Sequence, residues 1–225
     1  MSSYVPSELF ASTAPFYHYR PGYAPELYEQ LRGLLGLDGT QRVLDLGTGP
    51  GVLALPLSRM VREVVAVDPA PGMLEEARKT AAAQGVANVR WVLGDSTQLM
   101  RLDIGVVTLA VMGAAFHWTD RDQVLRDLDR LVVAEGAVAL ASGGAPGSVE
   151  PPEWNDVITA VRTKYLVSER RAGSGTYRHP KGSHQEVLAR SPFSNVQSYR
   201  WDLTVPSTLD QLVLRQYSFS YSSPA

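Results

Sequence analysis

Hydrophobic residues in this chain occur as short, continuous apolar runs, separated by segments whose apolar residues recur at helical spacing. Continuous runs of valine, leucine and alanine are typical of strands that are buried on both faces of a sheet. Such strands in alternation with helices are typical of βαβ units, which build parallel sheets. The pattern therefore predicts an α/β fold with a doubly wound, mostly parallel sheet. Its strands are predicted over 42–47, 61–68, 88–95, 105–116 and 136–144.

The helical segments carry recognisable end signals. The first helix is predicted to begin at Pro25, a favourable first position, and to end at Gly36. Further helices are predicted over 52–60, 71–85 and 119–133. After Gly144 the sequence changes to a proline-rich connector. Beyond it we predict a helix over 153–166, a loop rich in glycine, serine and arginine around 169–183, a strand over 194–205 and a helix over 207–218 capped by Ser207 or Thr208.

Composition narrows the class of protein. Hydrophobic residues make up 44% of the 225 positions and charged residues 20%, a balance typical of a folded chain. The formal net charge is −2, so no overall positive field exists to attract nucleic acid or anionic lipid. The absence of cysteine excludes disulfides, thiolate metal sites, iron–sulfur clusters and cysteine nucleophiles. Because we find neither a signal peptide nor a run of about 20 apolar residues, we expect a cytoplasmic protein without a membrane partner.

The stretch VLDLGTGPG follows the first predicted strand and contains three glycines with the spacing G-x-G-x-G, at Gly47, Gly49 and Gly51. A dinucleotide-binding turn requires G-x-G-x-x-G, and its third glycine would fall at Val52. A phosphate-binding P-loop requires a lysine and a hydroxyl residue after the last glycine, and neither is present. Asp45 lies two positions before the first glycine, where a carboxylate would repel a pyrophosphate. The turn therefore matches neither pattern, and what remains is a glycine turn that follows an acidic residue.

An acidic residue followed by G-x-G-x-G resembles the first motif of the class I S-adenosylmethionine-dependent methyltransferases. The resemblance implies a Rossmann-like doubly wound fold, S-adenosylmethionine as the cofactor and S-adenosylhomocysteine as its product. The methionine half of that cofactor carries an ammonium and a sulfonium but no phosphate. Asp45 would then hold the cationic end directly or through water, while the glycines allow the backbone to approach the ligand closely.

Two later motifs follow in the order that the resemblance implies. Asp68, at the end of the second predicted strand, matches the acidic residue that accepts hydrogen bonds from both ribose hydroxyls; the alternative is a capping aspartate. In the segment GDSTQL, Asp95 matches the residue that accepts from the adenine amino group; the alternative is ordinary turn chemistry. Met73 would contact adenine, or belong to the core. The other cofactor contacts that the resemblance implies are Thr48, Pro69, Gly94, Ser96 and Ala114.

The segment AAFHWTD ends the fourth predicted strand and resembles a segment of the small-molecule branch of this family. His117 is therefore a candidate acid or base, because imidazole titrates near neutral pH. The alternative is a ring that anchors the loop through hydrogen bonds. Trp118 would form a flat wall over cofactor or substrate, or belong to the core.

The N-terminal segment FYHYRPGYAPEL resembles a Y-R-P-x-Y-like segment that helps to close the cofactor site in this family. Arg20 would pair with the carboxylate of the cofactor, and Tyr17 or Tyr19 would lie against the sulfonium. His18 is either a second titratable group near the mouth of the site or a surface residue. The alternative for the whole segment is a turn before a helix. On the substrate side we place Tyr17, His18 and Trp118.

The class of acceptor is inferred from motifs that are missing. The chain lacks the N-P-P-Y-like tetrapeptide of amino-methylating DNA enzymes and the cysteine of cytosine-C5 enzymes. A small organic molecule remains, methylated at oxygen, nitrogen or carbon, as in trans-aconitate, ubiquinone-pathway and natural-product methyltransferases. This interpretation places a single domain over 1–225, with a lid segment and first helix over about 1–35 and a substrate cap over about 145–195. We expect a monomer or a homodimer.

Several alternatives stay open. A nicotinamide-dependent oxidoreductase is opposed by the glycine spacing, and a regulatory protein could bind the cofactor without transferring methyl groups. His179 and His184 lie five residues apart in the cap, but no carboxylate or thiol pattern accompanies them, so we expect a solvated loop and no metal site. No seventh strand is found after the last predicted helix. Aromatic residues that would line the pocket, or simply attach the cap, are Trp154, Tyr165, Tyr177 and Phe193.

Overall fold

A five-stranded parallel sheet lies at the centre of the molecule. The computed structural model describes residues 5–8, 10, 12–143, 154–165, 171–172, 175–176 and 180–220. The strands are β1 (Arg42–Leu46), β2 (Glu63–Asp68), β3 (Val89–Leu93), β4 (Val107–Gly113) and β5 (Val132–Ala141). Their spatial order is β3-β2-β1-β4-β5, which confirms the predicted doubly wound α/β fold. The direction of winding reverses between β1 and β4, and ligands bind at such a point in open α/β sheets.

Seven helices are described. They are α1 (Pro25–Leu35), α2 (Ala54–Ser58), α3 (Pro71–Ala83), α4 (Arg121–Asp129), α5 (Trp154–Tyr165), α6 (His184–Ala189) and α7 (Leu209–Gln216). Short 3₁₀ segments occur at Pro6–Glu8, Ala14–Tyr19, Ser96–Arg101 and Phe116–Trp118. A small antiparallel hairpin pairs Arg171–Ala172 with Gly175–Thr176. The ends of α1 agree with the prediction, since Pro25 opens the helix and Gly36 closes it in the left-handed conformation, with φ 58°.

Both faces of the sheet are covered by helices, which explains the continuous apolar runs. Neighbouring residues of β1, Val43 and Leu44, point to opposite faces and belong to two different apolar clusters. Leu44 packs in a cluster with Phe116 and Val124 of α4, and Val43 packs in a cluster with Leu31 of α1. Full burial of such a side chain stabilises the fold by about 1.5–3 kcal/mol. The sheet therefore gives a rigid platform for the residues at its carboxyl edge.

The predicted strand over 194–205 is wrong, because these residues have no regular secondary structure. Their apolar side chains alternate with polar ones, yet Tyr199 is 46% exposed, Leu203 48% and Val205 44%. Strand formation depends on packing against a paired neighbour more than on local preference. The two sheets that the structure describes contain no pairing for this segment.

The boundary between α4 and β5 also differs from the prediction. The helix predicted over 119–133 ends at Asp129, and β5 already begins at Val132. The apolar residues there suit a strand as well as a helix, so periodicity alone does not decide between them. Pairing with β4 determines that these residues form a strand. The two strands lie so close together that a Cβ on Gly136 would be 2.5 Å from the carbonyl oxygen of Thr108.

Helix α6 was not predicted, although its start signal is present in the sequence. The side chain of Ser183 accepts a hydrogen bond from the backbone N–H of Glu186, and the side chain of Glu186 accepts one from the N–H of Ser183. This capping box satisfies two backbone donors at the start of the helix.

Across the described ranges, no helix is long and apolar enough to cross a bilayer.

Candidate functional site

The turn after β1 is built from glycines in the left-handed region. Gly47, Gly49 and Gly51 have φ values of 76°, 56° and 85°. The backbone N–H groups of Gly47 and Thr48 both donate to the carbonyl oxygen of Val67 in β2, at 2.8 and 3.0 Å. A Cβ on Gly47 would lie 2.5 Å from the Cβ of Ala115, so only glycine fits where the turn meets the end of β4. The glycines therefore bring the ends of β1, β2 and β4 together.

Asp45 contributes a buried carboxylate at the end of β1, with 1% of its surface exposed. Its Oδ2 atom accepts a hydrogen bond of 2.7 Å from the hydroxyl of Thr48. Its Oδ1 atom is buried and has no hydrogen-bond partner in the described part of the chain. Burial, together with the charge of Asp68, raises the pKa of Asp45 to about 7. An unpaired buried oxygen of this kind is costly and fits a cationic ligand such as the ammonium of S-adenosylmethionine.

Asp68 is the last residue of β2, and its carboxylate binds the glycine turn that follows β1. Its Oδ2 accepts from the N–H of Gly49 at 2.8 Å, and its Oδ1 accepts from the N–H of Ala70 at 2.9 Å. Burial raises the pKa of Asp68 to about 6, although both hydrogen bonds oppose that shift. The contact with Ala70 is an Asx-type turn and not a helix cap, since Ala70 is itself the N-cap of α3 and has no side-chain cap. The contact with Gly49 joins Asp68 to the glycine turn. Each oxygen keeps a second lone pair, so the carboxylate can still accept from two ligand hydroxyls.

The segment after β3 lies beside Asp68. The N–H of Gly94 donates to the backbone carbonyl of Asp68 at 3.1 Å. Asp95 caps the 3₁₀ turn Ser96–Arg101, where its Oδ1 accepts from the N–H of Thr97 at 2.7 Å. Asp95 therefore makes the ordinary turn interaction. Its carboxylate also lies at the sheet edge where the resemblance places the adenine.

Apolar contacts connect the N-terminal segment with α3. Met73 is 2% exposed and packs in one small cluster with Ala14 and Ala70, with Phe10 and Tyr17 at its edge. Met73 is thus a buried residue of the α3 surface that the N-terminal 3₁₀ turn covers. The N-terminal segment consequently lies over the same edge of the sheet as Asp68.

The loop after β4 carries the acid–base candidate. Ala114 has a φ of 51°, a strained conformation for a residue with a side chain, and such strain occurs often at functional sites. His117 and Trp118 follow in the 3₁₀ turn Phe116–Trp118, with their ring centroids 5.0 Å apart. The ring of Phe10 meets Trp118 edge-on at 5.6 Å. The N-terminal segment therefore contacts residues that follow β2 and residues that follow β4. These two loops flank the crevice at the carboxyl edge of the sheet.

Arg20 joins the N-terminal segment to the end of α7. Its Nε donates to the hydroxyl of Ser218 at 2.9 Å, and its Nη1 donates to the phenol oxygen of Tyr17 at 3.2 Å. The guanidinium lies between the rings of Tyr17 and Phe219, at 4.2 and 4.6 Å from their centroids. The ring of Tyr17 in turn lies 3.9 Å from the Cβ position of Gly49. Arg20 thus holds Tyr17 over the glycine turn.

His18 and Tyr19 end the 3₁₀ segment Ala14–Tyr19, directly before Arg20. Their rings lie 4.0 Å apart, and His18 is exposed. His18 lines a cavity of about 380 Å³, bordered also by Gly51 and Arg59. This cavity borders the glycine turn at Gly51, but Asp45, Asp68 and His117 do not line it.

Tyr23 is a further candidate for the site, and it is absent from the residues proposed from the sequence. A Cβ on Gly113 would lie 2.8 Å from the phenol oxygen of Tyr23 and 2.9 Å from Leu53. Burial, with additional contributions from Tyr17 and Asp45, raises the pKa of Tyr23 well above its usual range. The phenol is therefore neutral and lies at the end of β4, where the sheet order reverses. Tyr23 is the second tyrosine of the segment YRPGY, and this is the signal that could have identified it.

The expectation that His184 lies in a solvated loop is wrong. His184 is the first residue of α6 and is half-buried, with its ring edge-on to Phe116 at a centroid distance of 5.0 Å. Tyr177 and His179 lie outside the described residues. Trp154 and Tyr165 lie on α5 and are 42% and 71% exposed.

Comparison with known proteins shows the family to which the chain belongs. A family model described as a methyltransferase domain matches residues 43–136, from β1 into β5. An uncharacterized methyltransferase of Mycobacterium tuberculosis is 32% identical over 209 residues, which cover 92% of this chain and 74% of the relative. This chain belongs to the class I S-adenosylmethionine-dependent methyltransferases. The methyltransferase family thus accounts for both the parallel sheet and the glycine turn.

Two further comparisons concern parts of this methyltransferase. The crystal structure of the CcbJ methyltransferase from Streptomyces caelestis matches with a TM-score of 0.51 and 24% identity, covering 61% of this chain and 58% of that one. That likeness shows the fold. The 23S rRNA (uracil(1939)-C(5))-methyltransferase RlmD of Stenotrophomonas maltophilia is 46% identical, but over only 61 residues, which are 27% of this chain and 14% of that protein.

Proposed function

We propose that this methyltransferase binds S-adenosylmethionine at the carboxyl ends of β1, β2 and β3 and transfers its methyl group to a small organic molecule. The observation that carries the proposal is the unpaired, buried Oδ1 atom of Asp45 beside the glycine turn. A cationic, phosphate-free ligand is what this carboxylate and this glycine spacing would accept. S-adenosylhomocysteine would be the product that remains bound after transfer.

Different residues of the chain would bind different parts of the cofactor. Asp45 would accept from the ammonium, with Thr48 holding the other carboxylate oxygen in place. Asp68 would accept from the ribose hydroxyls while it fixes Gly49. Arg20 has guanidinium N–H groups beyond those committed to Ser218 and Tyr17, and these would hold the cofactor carboxylate. The remaining contacts, to the adenine and around the methionine half, are assigned to Tyr19, Pro69, Met73, Gly94, Asp95, Ser96 and Ala114.

When bound, S-adenosylmethionine supplies a methyl group on a sulfonium, which is already a strong electrophile. The protein's task is then to align the acceptor and to exclude water. An imidazole nitrogen of His117 would take the proton that an O–H or N–H acceptor must lose. Trp118, with Tyr17 and His18 at the N-terminal side, would hold the acceptor against the crevice. A flat apolar acceptor suits these aromatic walls.

A small acceptor is favoured over RNA by two observations. The net charge of −2 provides no general attraction for a phosphate backbone. The rRNA methyltransferase matches over 61 residues only, so the likeness leaves out 86% of that enzyme's length, since it covers 14% of it. The cytoplasmic location, the single-domain layout with lid and cap, and the monomeric or dimeric state remain predictions.

Isothermal titration calorimetry with S-adenosylmethionine, S-adenosylhomocysteine and NADH tests the cofactor assignment. We expect the two methionine-derived ligands to bind and NADH not to bind. Asp45→Asn should weaken binding of both, while Asp38→Asn, which changes an exposed aspartate, serves as the matched control. Binding of NADH alone would instead support an oxidoreductase.

A mass-shift screen for one added methyl group tests the transfer. A library of small organic acceptors and a total RNA preparation are incubated separately with the protein and labelled cofactor. Labelled small molecules support the proposal, and labelled RNA with unlabelled small molecules would overturn it. Cofactor binding without any transfer would support the regulatory alternative.

A further inference from the structure

A buried arginine in α4 holds the segment that begins α6. Arg121, the first residue of α4, is only 7% exposed. Its guanidinium donates to the backbone carbonyls of Lys181 and Gly182, the latter at 3.0 Å, and lies 3.1 Å from the Nδ1 atom of His184. We call these four residues the Arg121 clamp. A buried arginine needs partners for its donors, and here two carbonyls and an imidazole accept from three of its five N–H groups.

The clamp determines the protonation state of His184. Arginine has donors only, so the Nδ1 atom of His184 must be the acceptor and must carry no proton. The ring is then neutral, with its proton on Nε2. Burial and the charge of Arg121 both lower the pKa of His184, which agrees with that geometry. Protonation of His184 would place a donor against a donor and a cation beside a cation.

The ring of His184 also contacts the turn that carries the acid–base candidate. Phe116 is 2% exposed and meets His184 edge-on at 5.0 Å. Phe116 is the first residue of the 3₁₀ turn in which His117 and Trp118 follow. Val187, one helical turn after His184, is fully buried in the same apolar cluster as Phe116. The start of α6 is therefore packed directly against the base of the His117 turn.

We propose that His184 is a positioning residue: the Arg121 clamp holds its neutral ring against Phe116 and thereby fixes the orientation of His117 and Trp118. This inference rests on the proposed role of His117 in proton transfer. Arg121 from α4 and Phe116 from the turn face the ring of His184. On its own helix, Glu186 is committed to the cap at Ser183. Acidification would break the clamp and release the turn.

A second contact between the same two helices provides a matched control. Arg190 of α6 makes a two-fold ion pair with Asp122 of α4, at 2.9 and 2.8 Å. Both side chains are about half exposed, at 54% and 47%, and neither is part of the Arg121 clamp. Exposed pairs of this kind contribute little to stability. Asp122→Asn therefore loosens the same helix pair and leaves the hydrogen bonds of the Arg121 clamp in place, while it removes a charge that also acts on Arg121.

Nuclear magnetic resonance of the amides of His117 and Trp118, with the Trp118 indole, tests the proposal. His184→Leu removes the acceptor, whereas His184→Asn keeps an acceptor oxygen near the position of Nδ1. We expect His184→Leu to shift or broaden these signals, His184→Asn to restore them and Asp122→Asn to leave them unchanged. Equal effects of the Leu and Asn variants would show that the hydrogen bond to Arg121 does not position the turn, and unchanged signals in His184→Leu would overturn the proposal outright.

A pH titration gives an independent measurement, which remains informative if His184→Leu does not fold. It is carried out in a His117→Gln background, so that His117 does not titrate itself. We expect the Trp118 signals to move with the same midpoint as the ring protons of His184, below the usual histidine value of 6.5. Trp118 signals that do not change while His184 titrates would overturn the inference. Binding of S-adenosylhomocysteine, measured in parallel, reports on the proposed cofactor site, because its failure in the parent protein concerns that site and not the clamp.

Discussion

The carboxylate of Asp68 accepts a hydrogen bond of 2.8 Å from the backbone N–H of Gly49, and so joins the end of β2 to the turn after β1. These residues are 19 positions apart in the sequence and come from the two motifs that the sequence analysis singled out. The residue expected to bind the ribose therefore also shapes the turn expected to receive the methionine half. Loss of the Asp68 carboxylate should therefore weaken the binding of both the ribose and the methionine half of the cofactor.

Asp68→Asn should weaken binding of S-adenosylhomocysteine by roughly 1.5–3 kcal/mol, since hydrogen bonds to a charged group are lost. Calorimetric titration measures the effect. Asp129→Asn, a change at an exposed aspartate in α4, is the control and should leave the affinity unchanged. Unaltered affinity in Asp68→Asn would show that the end of β2 does not bind the ribose.

The raised pKa of Asp45 predicts a pH dependence of stability. Its pKa rises from 3.8 to about 7 on folding without cofactor. Between these values the folded chain keeps a proton that the unfolded chain has released, so the free energy of unfolding falls as the pH rises. Asp68 contributes to the same fall only up to about pH 6. Asp45→Asn should therefore flatten the dependence most clearly between pH 6 and 7, as urea titrations at several pH values would show.

The same carboxylate predicts that cofactor binding releases a proton. A ligand ammonium stabilises the ionised form of Asp45 and lowers its pKa, so below about pH 7 binding should expel a proton. Calorimetry in two buffers with different ionisation enthalpies counts that proton. A binding enthalpy that is independent of the buffer would argue against a cationic group at Asp45.

His117→Gln should slow methyl transfer by roughly 100- to 10,000-fold when the acceptor has to lose a proton. Affinity for S-adenosylhomocysteine should not change, because His117 lies on the β4 side of the crevice. Initial rates and calorimetry, measured on the same preparation, separate the two effects. Full activity of the variant would reduce His117 to an anchor of the loop.

Tyr23→Phe removes a neutral phenol from the end of β4, and we expect it to weaken cofactor binding by about 0.5–1.5 kcal/mol. Tyr28→Phe is the matched comparison. The phenol of Tyr28 donates to the carbonyl oxygen of Val52 at 3.2 Å, so its loss should lower the free energy of unfolding more than the affinity. Thermal unfolding and calorimetry together distinguish the variants. Equal affinities for Tyr23→Phe and the parent protein would remove Tyr23 from the site.

Gly47→Ala should destabilise the fold more than Gly36→Ala. Both glycines have positive φ values, 76° and 58°, so both variants carry backbone strain of about 1 kcal/mol. An added Cβ at position 36 meets open space, whereas at Gly47 it would lie 2.5 Å from the Cβ of Ala115. The difference between the two free energies of unfolding isolates the cost of this contact.

The sheet and the glycine turn could be predicted because their signals are local. β1 and β2 are apolar runs with their carboxylates at the end, and Pro25 and Gly36 delimit α1 within a few residues. Asp45 and Asp68 are predicted through the resemblance to the methyltransferase motifs, and both lie at the carboxyl edge of the sheet.

The contacts between distant segments could not be predicted. Arg20 and Ser218 are 198 residues apart, and Arg121 and His184 are 63 apart. No periodic pattern connects such residues, so His184 was interpreted as part of a loop. The segment 194–205 shows the opposite failure, because its alternation is local while strand pairing requires a partner elsewhere.

The bond between Arg20 and Ser218 has a consequence for biosynthesis. The guanidinium that holds Tyr17 over the glycine turn is anchored by a residue made 198 positions later. A nascent chain on the ribosome can assemble β1 to β5 before α7 has emerged from the exit tunnel, because domains begin to fold during synthesis. Until translation has passed Ser218, Arg20 lacks this anchor, while Tyr17 already borders the apolar cluster of Ala14, Ala70 and Met73. The contact that fixes Tyr17 over the glycine turn is therefore completed only after Ser218 has emerged.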